Sequence, residues 1–244
     1  MEYLFYFFII FILSGLFSMA GTGSGIAVIP ILYLFGIPFD LSKAVGLFTG
    51  LSATATSTVM NLKRKALDVR FALPLAIAMF IFSPIGAQLS RFVNESLAKG
   101  VFIVFLLFSA TMMMFFKKQA KANCQKPWIL LLLGVFVGLL AGLLGIGGGN
   151  LLLPALILLG YEPKRVAVAV SFVVPFSILT SFLSYASFVE MDWILLLAAA
   201  FGAVFGGYTG NYLMYFKLSQ NQIKKVIAVI LYLLAIKMAW AIFF

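Results

Sequence analysis

Histidine is absent from this 244-residue chain, cysteine occurs once, and only seven residues are acidic. Without histidine the usual serine–histidine arrangement of a hydrolase is unavailable, so Ser24 within Gly-Ser-Gly is not read as the nucleophile of an intramembrane protease. No enzyme is expected. The lone Cys124 lies in a basic loop, which excludes a disulfide framework and a metal-ligand cluster, and no cofactor is expected. All the acids (Glu2, Asp40, Asp68, Glu95, Glu162, Glu190 and Asp192) fall in loops or at helix ends. A proton relay or sodium site normally leaves a carboxylate inside a span. Charged residues make up only 10% of the chain, against about 25% in soluble domains.

What replaces them is apolar: 64% of the residues are hydrophobic. A polar shell cannot be built from this composition, so lipid must solvate most of the surface. The net charge of +10 does not point to nucleic acid, because the basic residues sit in short loops between apolar runs. They read as topology determinants beside anionic headgroups. The stretch from Tyr3 to Ala20 resembles a signal peptide, but Glu2 precedes it and no base does. A similar segment recurs at Pro127–Leu144, so it is expected to belong to the fold.

Apolar runs fall at about 3–20, 26–36, 42–62, 69–90 and 97–116, and again at about 127–144, 149–160, 166–188, 193–213 and 222–243. Crossing the hydrocarbon core takes about 20 residues of helix. The second run of each set is too short for that, so each is expected to be one arm of a hairpin. Whether the hairpin crosses fully or re-enters is open at this level. At a single constant offset, without gaps, Gly21, Gly23, Gly25, Pro30 and Gly36 match Gly145, Gly147, Gly149, Pro154 and Gly160. The match continues through Phe48/Phe172, Thr56/Thr180, Ser57/Ser181, Asp68/Asp192 and Gly86/Gly210. A duplication is implied.

The basic residues bear on how the copies are oriented. Inverted copies gather Lys63, Arg64, Lys65, Arg70, Lys117, Lys118, Lys121, Lys126, Lys164, Arg165, Lys217, Lys224 and Lys225 on one side. The other side keeps Lys43, Arg91 and Lys99, with Lys237 inside the last span. Parallel copies split the bases evenly. The positive-inside rule therefore favours inversion, with both termini outside. The expected fold is all-α: a polytopic membrane protein of two inverted repeats, 1–120 and 121–244, forming one membrane domain. Each repeat is a Gly-broken helical hairpin followed by three spanning helices.

Two matching Gly/Pro-interrupted segments in the halves of a membrane chain point to a transporter's binding site. Gly86, Gly134, Gly138, Gly202, Gly206 and Gly210 are read as close-packing glycines. The alternating runs differ, since they cannot hold a stable helix, and such backbone survives at membrane depth only inside protein or beside a wet cavity. Each run opens a new helix whose unpaired amides and positive dipole end suit an anion. The candidate substrate-binding residues are therefore Gly21, Thr22, Gly23, Ser24 and Gly25 with Gly145, Gly147, Gly148, Gly149 and Asn150. Hydroxyls in the following span add Ser52, Thr56, Ser57, Ser177, Thr180 and Ser181; interhelical hydrogen bonding accounts for about half of the span's hydroxyls, and the symmetric pairs Thr56/Thr180 and Ser57/Ser181 are the better ligand candidates. Lys43 is expected to pair with Asp40 at i, i+3. The run GIGGGN is not a dinucleotide fingerprint, because Leu152 stands where the third glycine belongs.

The hairpin runs, each with its proline and glycine, resemble the TauE/SafE family of sulfite exporters along nearly the whole chain. The segment Gly145-Ile-Gly-Gly-Gly149 with Pro154 carries the pattern fully, whereas Ser24 replaces a glycine in the first copy. The resemblance implies a multi-pass protein of the bacterial inner membrane exporting a small sulfur oxyanion or organosulfonate. The expected function is a secondary transporter, or permease, for such an anion, bound between the two breaks at the repeat interface. An anion channel and a permease for another small solute are the alternatives. The expected partners are the anionic substrate and the lipid bilayer, not nucleic acid, and homo-oligomerisation is left open.

Overall fold

A computed structural model describes residues 2–19, 23–63, 67–115, 127–214 and 220–243. Among these the chain forms α-helices and no strand. In order they are α1 (Glu2–Met19), α2 (Gly25–Leu34), α3 (Phe39–Lys63), α4 (Val69–Leu89), α5 (Glu95–Phe115), α6 (Pro127–Leu144), α7 (Gly149–Leu158), α8 (Pro163–Ala186), α9 (Trp193–Met214) and α10 (Gln220–Phe243). Val69–Leu89, Glu95–Phe115, Arg165–Ala186 and Trp193–Gly210 are long and apolar enough to cross a membrane. Their outward faces carry half-exposed Ile77, Phe80, Val104, Leu183 and Phe205, the all-round hydrophobicity of helices solvated by lipid.

Local chemistry explains where these helices begin and end. Asp68 caps α4 by accepting from the Phe71 amide at 3.2 Å, and Asp192 caps α9 by accepting from Ile194 and Leu195. The repeat-matched acids are thus paired N-caps. The Arg165 guanidinium, bonded to Asp68 at 2.6 Å, joins the Phe71 amide in holding this carboxyl below its ordinary range. Pro163 opens α8 at a first-turn position that lacks an intrahelical acceptor anyway. Gly36 and Gly160 both stand at φ +89°, and the amides that follow return to Leu32 and Leu156. α2 and α7 therefore end in the same left-handed cap.

The helices of the two halves are exchanged rather than stacked half on half. α1 packs along α9 and α6 along α4, while α3 crosses α8, α5 meets α10, α2 lies on α3 and α7 on α8. The first helix of each half thus docks on the fourth helix of the other. Small residues permit the approach: a Cβ on Gly202 would stand 2.8 Å from the Phe7 carbonyl, and one on Gly138 3.2 Å from the Met79 Cα. Gly86, Gly134, Gly206 and Gly210 are equally pinned against facing backbone or Ala78. Side-chain register gives the directions. Gly202 faces Phe7 and Gly210 faces Gly15, so α1 and α9 run parallel. Ser83 meets Ser177 and Gln88 meets Ser187, so α4 and α8 run parallel. Phe48 packs on Phe182 at 5.0 Å and Lys43 on Tyr185, so α3 runs antiparallel to α8.

Candidate functional site

The first break ends at Ser24, which precedes α2, and the second at Gly148, which precedes α7. Both lie beside the middle of a long helix rather than at its end. Gly23 faces Gly50 and Thr54 of α3, and Gly25 lies against Gly46, where a Cβ would come 2.5 Å from the carbonyl oxygen. Gly147 faces Ile178 of α8, and Gly149 faces Val174. Gly50 in turn touches Ile178, where α3 and α8 cross. The two breaks therefore flank one helix crossing. Gly21 and Thr22 lie outside the described residues, as do the side chains of Thr56 and Ser57.

The breaks differ in how tightly they are packed. At the second, Gly145, Gly147 and Gly148 all hold φ near +70 to +76°, a region that admits glycine at little cost. A Cβ on Gly148 would meet the Met79 Cε at 2.5 Å and Ala141 at 3.0 Å. Gly145 and Ile146 spend their amides capping α6, on Gly142 and Ala141. The amides of the first turn of α7, around Gly149 and Asn150, have no acceptor within their own helix. In the first break Gly25 is pinned against Gly46, but Gly23 is looser: a Cβ there would find nothing nearer than Thr54 Cγ2 at 3.7 Å. Ser24 is buried and accepts a hydrogen bond from Ser14 at 2.8 Å.

The hydroxyls divide by partner. Ser52 donates to its own helix at Phe48, and Thr180 donates to Phe176 and Ser177 while facing an open apolar groove beside Phe80 and Leu183. Ser177 is buried against Ser83 at 2.6 Å. These three hydroxyls are occupied, because in an apolar span the nearest acceptor is a carbonyl one turn back or a polar group on the facing helix. Ser181 is different. It is fully buried, and its Oγ has no hydrogen-bond partner among the described residues.

Sequence reasoning passed over Ser83 and Ser90, isolated hydroxyls in an apolar helix. It also ranked Lys43 as a partner of Asp40 ahead of a substrate contact. Lys43 is 1% exposed, bonds Asp40 and Ser90 at 2.6 Å each, and packs its stem on Gly145. The signal was present: a lysine entering an apolar span one turn after a carboxylate.

Residues 6–238 match the family model described as Sulfite exporter TauE/SafE. The chain belongs to the TauE/SafE family. It is also 30% identical to the "Probable membrane transporter protein YunE" of Bacillus subtilis, covering 83% of this chain and 87% of that one. A "Probable membrane transporter protein" of Methanocaldococcus jannaschii is 34% identical over 72% of this chain and 69% of its own. No solved structure matches. As a TauE/SafE protein the chain is a multi-pass membrane transporter and not an enzyme.

Proposed function

We propose that this transporter exports a small anion, a sulfur oxyanion or organosulfonate of the sulfite type, held between the two glycine breaks. The observation that carries the reading is that both breaks flank the α3–α8 crossing at mid-helix. Two helix N-termini there each supply roughly half a positive charge, enough to balance a monoanion without an arginine. Gly23, Ser24 and Gly25 from the first break, with Gly149, Asn150 and Ser181, whose hydroxyl has no partner among the described residues, are the ligands with groups to offer. The antiparallel crossing of α3 and α8 and the exchanged first helices support residues 1–120 and 121–244 as inverted repeats. Carboxylates are confined to loops and helix ends, so none is placed to carry a coupling cation.

An inside-negative potential of about 100 mV favours exit of one negative charge by about 2.3 kcal/mol, so export runs without a coupled ion. Purified protein in proteoliposomes, offered sulfite, thiosulfate and a short organosulfonate, should show saturable flux that rises with a potential drawing anions along. Strict dependence on a sodium gradient, with no response to voltage, would overturn the reading. Unitary currents without saturation would make the protein a channel instead.

A further inference from the structure

We propose that Lys43 is a substrate-binding residue at the outer mouth of the second break, where an exported anion leaves, and that Asp40 occupies its ammonium until the anionic substrate displaces it. The proposal rests on the anion reading above and adds a residue to it. Lys43 sits in the second turn of α3 with its side chain 1% exposed, whereas the Asp40 side chain is 46% exposed. The Nζ bonds Asp40 Oδ1 and Ser90 Oγ at 2.6 Å and lies 4.8 Å and 5.2 Å from the ring centroids of Phe39 and Tyr185. The carboxylate thus approaches from the water side, and protein surrounds the rest of the ammonium.

A structural role does not explain this arrangement. An i, i+3 pair at a helix start forms equally well with both groups in water, and burying one ammonium adds a desolvation cost that such a pair does not repay. The duplication does not require a cation either, since Ala167 holds the equivalent place in the second half. What burial achieves is position. A Cβ on Gly145 would lie 2.6 Å from the Lys43 Cβ, so the lysine stem is packed on the first glycine of the second break. Tyr185 fixes the same spot, its hydroxyl donating to the Gly142 and Leu143 carbonyls at 3.1 and 3.0 Å.

The remaining bases of this end lie around the same mouth. Lys99 shares the Phe39 ring with Lys43 and pairs with Glu95 at 2.8 Å. Arg91 lies over Phe188, which packs on Tyr185. Of the three, Lys43 and Lys99 are each paired with a carboxylate, Asp40 and Glu95 respectively. An anion reaching this mouth therefore competes for ammonium groups already held by carboxylates rather than being drawn by a net positive field. A sulfonate or hydrogensulfite matches a carboxylate in charge, and a sulfur oxyanion presents its oxygens at comparable spacing. It can therefore take the position of Asp40, whose carboxylate returns to water as it leaves.

The test uses the full chain in proteoliposomes with sulfite as probe, and, independently, the melting temperature of solubilised protein against sulfite concentration. Lys43→Met should raise the KM for sulfite at least ten-fold and abolish sulfite-dependent stabilisation, while melting near wild type without sulfite, because Asp40 keeps its access to water. Lys43→Arg should restore most of the affinity. Asp40→Asn should lower the KM several-fold, since a competing anion is gone. Wild-type KM in Lys43→Met, or a KM raised alike by Asp40→Asn, would overturn this proposal and leave the glycine site standing. A wild type that neither transports nor is stabilised by any anion of the panel would overturn both.

Discussion

Gly23 and Gly148 occupy adjoining places in the two breaks, yet a side chain added at each should fail for different reasons. Gly148 holds φ +76°, and an added Cβ would stand 2.5 Å from Met79 and 3.0 Å from Ala141. The left-handed backbone costs an alanine about 1–2 kcal/mol, and forcing a methyl into a filled site adds about 1–3 kcal/mol. Gly148→Ala should therefore lose about 2–5 kcal/mol of stability, seen as lower yield and a lower melting temperature. Gly23 carries neither penalty, because its nearest neighbour would be Thr54 Cγ2 at 3.7 Å, an ordinary contact. Gly23→Ala should be neutral in stability to within about 0.5 kcal/mol, and Gly23→Val nearly so. If the amides of this break bind the substrate, the valine methyls stand in its approach. One lost charge-assisted hydrogen bond, about 1.5–3 kcal/mol, translates to roughly a ten- to hundred-fold rise in KM. The assay is initial anion flux in proteoliposomes at matched protein density, beside thermal unfolding in detergent. Unchanged KM in Gly23→Val, with the protein folded and inserted, would refute binding at the first break.

Two further outcomes are expected. Ser83→Ala should strand the buried Ser177 hydroxyl and cost about 1–3 kcal/mol, whereas Ser83→Ala/Ser177→Ala should recover part of the loss; strict additivity in thermal unfolding would show that the 2.6 Å contact contributes nothing. On a Cys124→Ser background, a cysteine at position 66 should react only with reagents that reach the cytoplasm, and one at position 190 only with external reagents; external labelling at 66 would refute the inverted topology.

Much of the fold was legible from composition and local conformation. A chain with this few charges must be solvated by lipid, and runs too short to span mark the broken hairpins. The alternating glycines do interrupt the helices, with Gly145, Gly147 and Gly148 at positive φ, and Gly36 and Gly160 hold positive φ where α2 and α7 end. Asp68 and Asp192 cap the helices that follow them. The reading of Gly86, Gly134, Gly138, Gly202, Gly206 and Gly210 as packing sites follows from the absence of a side chain at helical spacing, and each lies against a neighbouring helix.

Only the tertiary structure decided which neighbour each residue meets. Helices that are apolar all round carry no face that names a partner, so nothing local says that α1 docks on α9 or α6 on α4. Spacing alone groups Ser177, Ser181 and Ser184 on one face of α8, but only packing separates them. Ser177 is taken by Ser83 and Ser184 by the Pro84 carbonyl, while Ser181 finds no partner among the described residues. For the same reason Lys43 read first as the i, i+3 partner of Asp40. Its place against Gly145, Ser90 and Tyr185 depends on three helices distant in sequence. Sequence determines what a helix can offer, and the rotation at which it packs determines what it gives up.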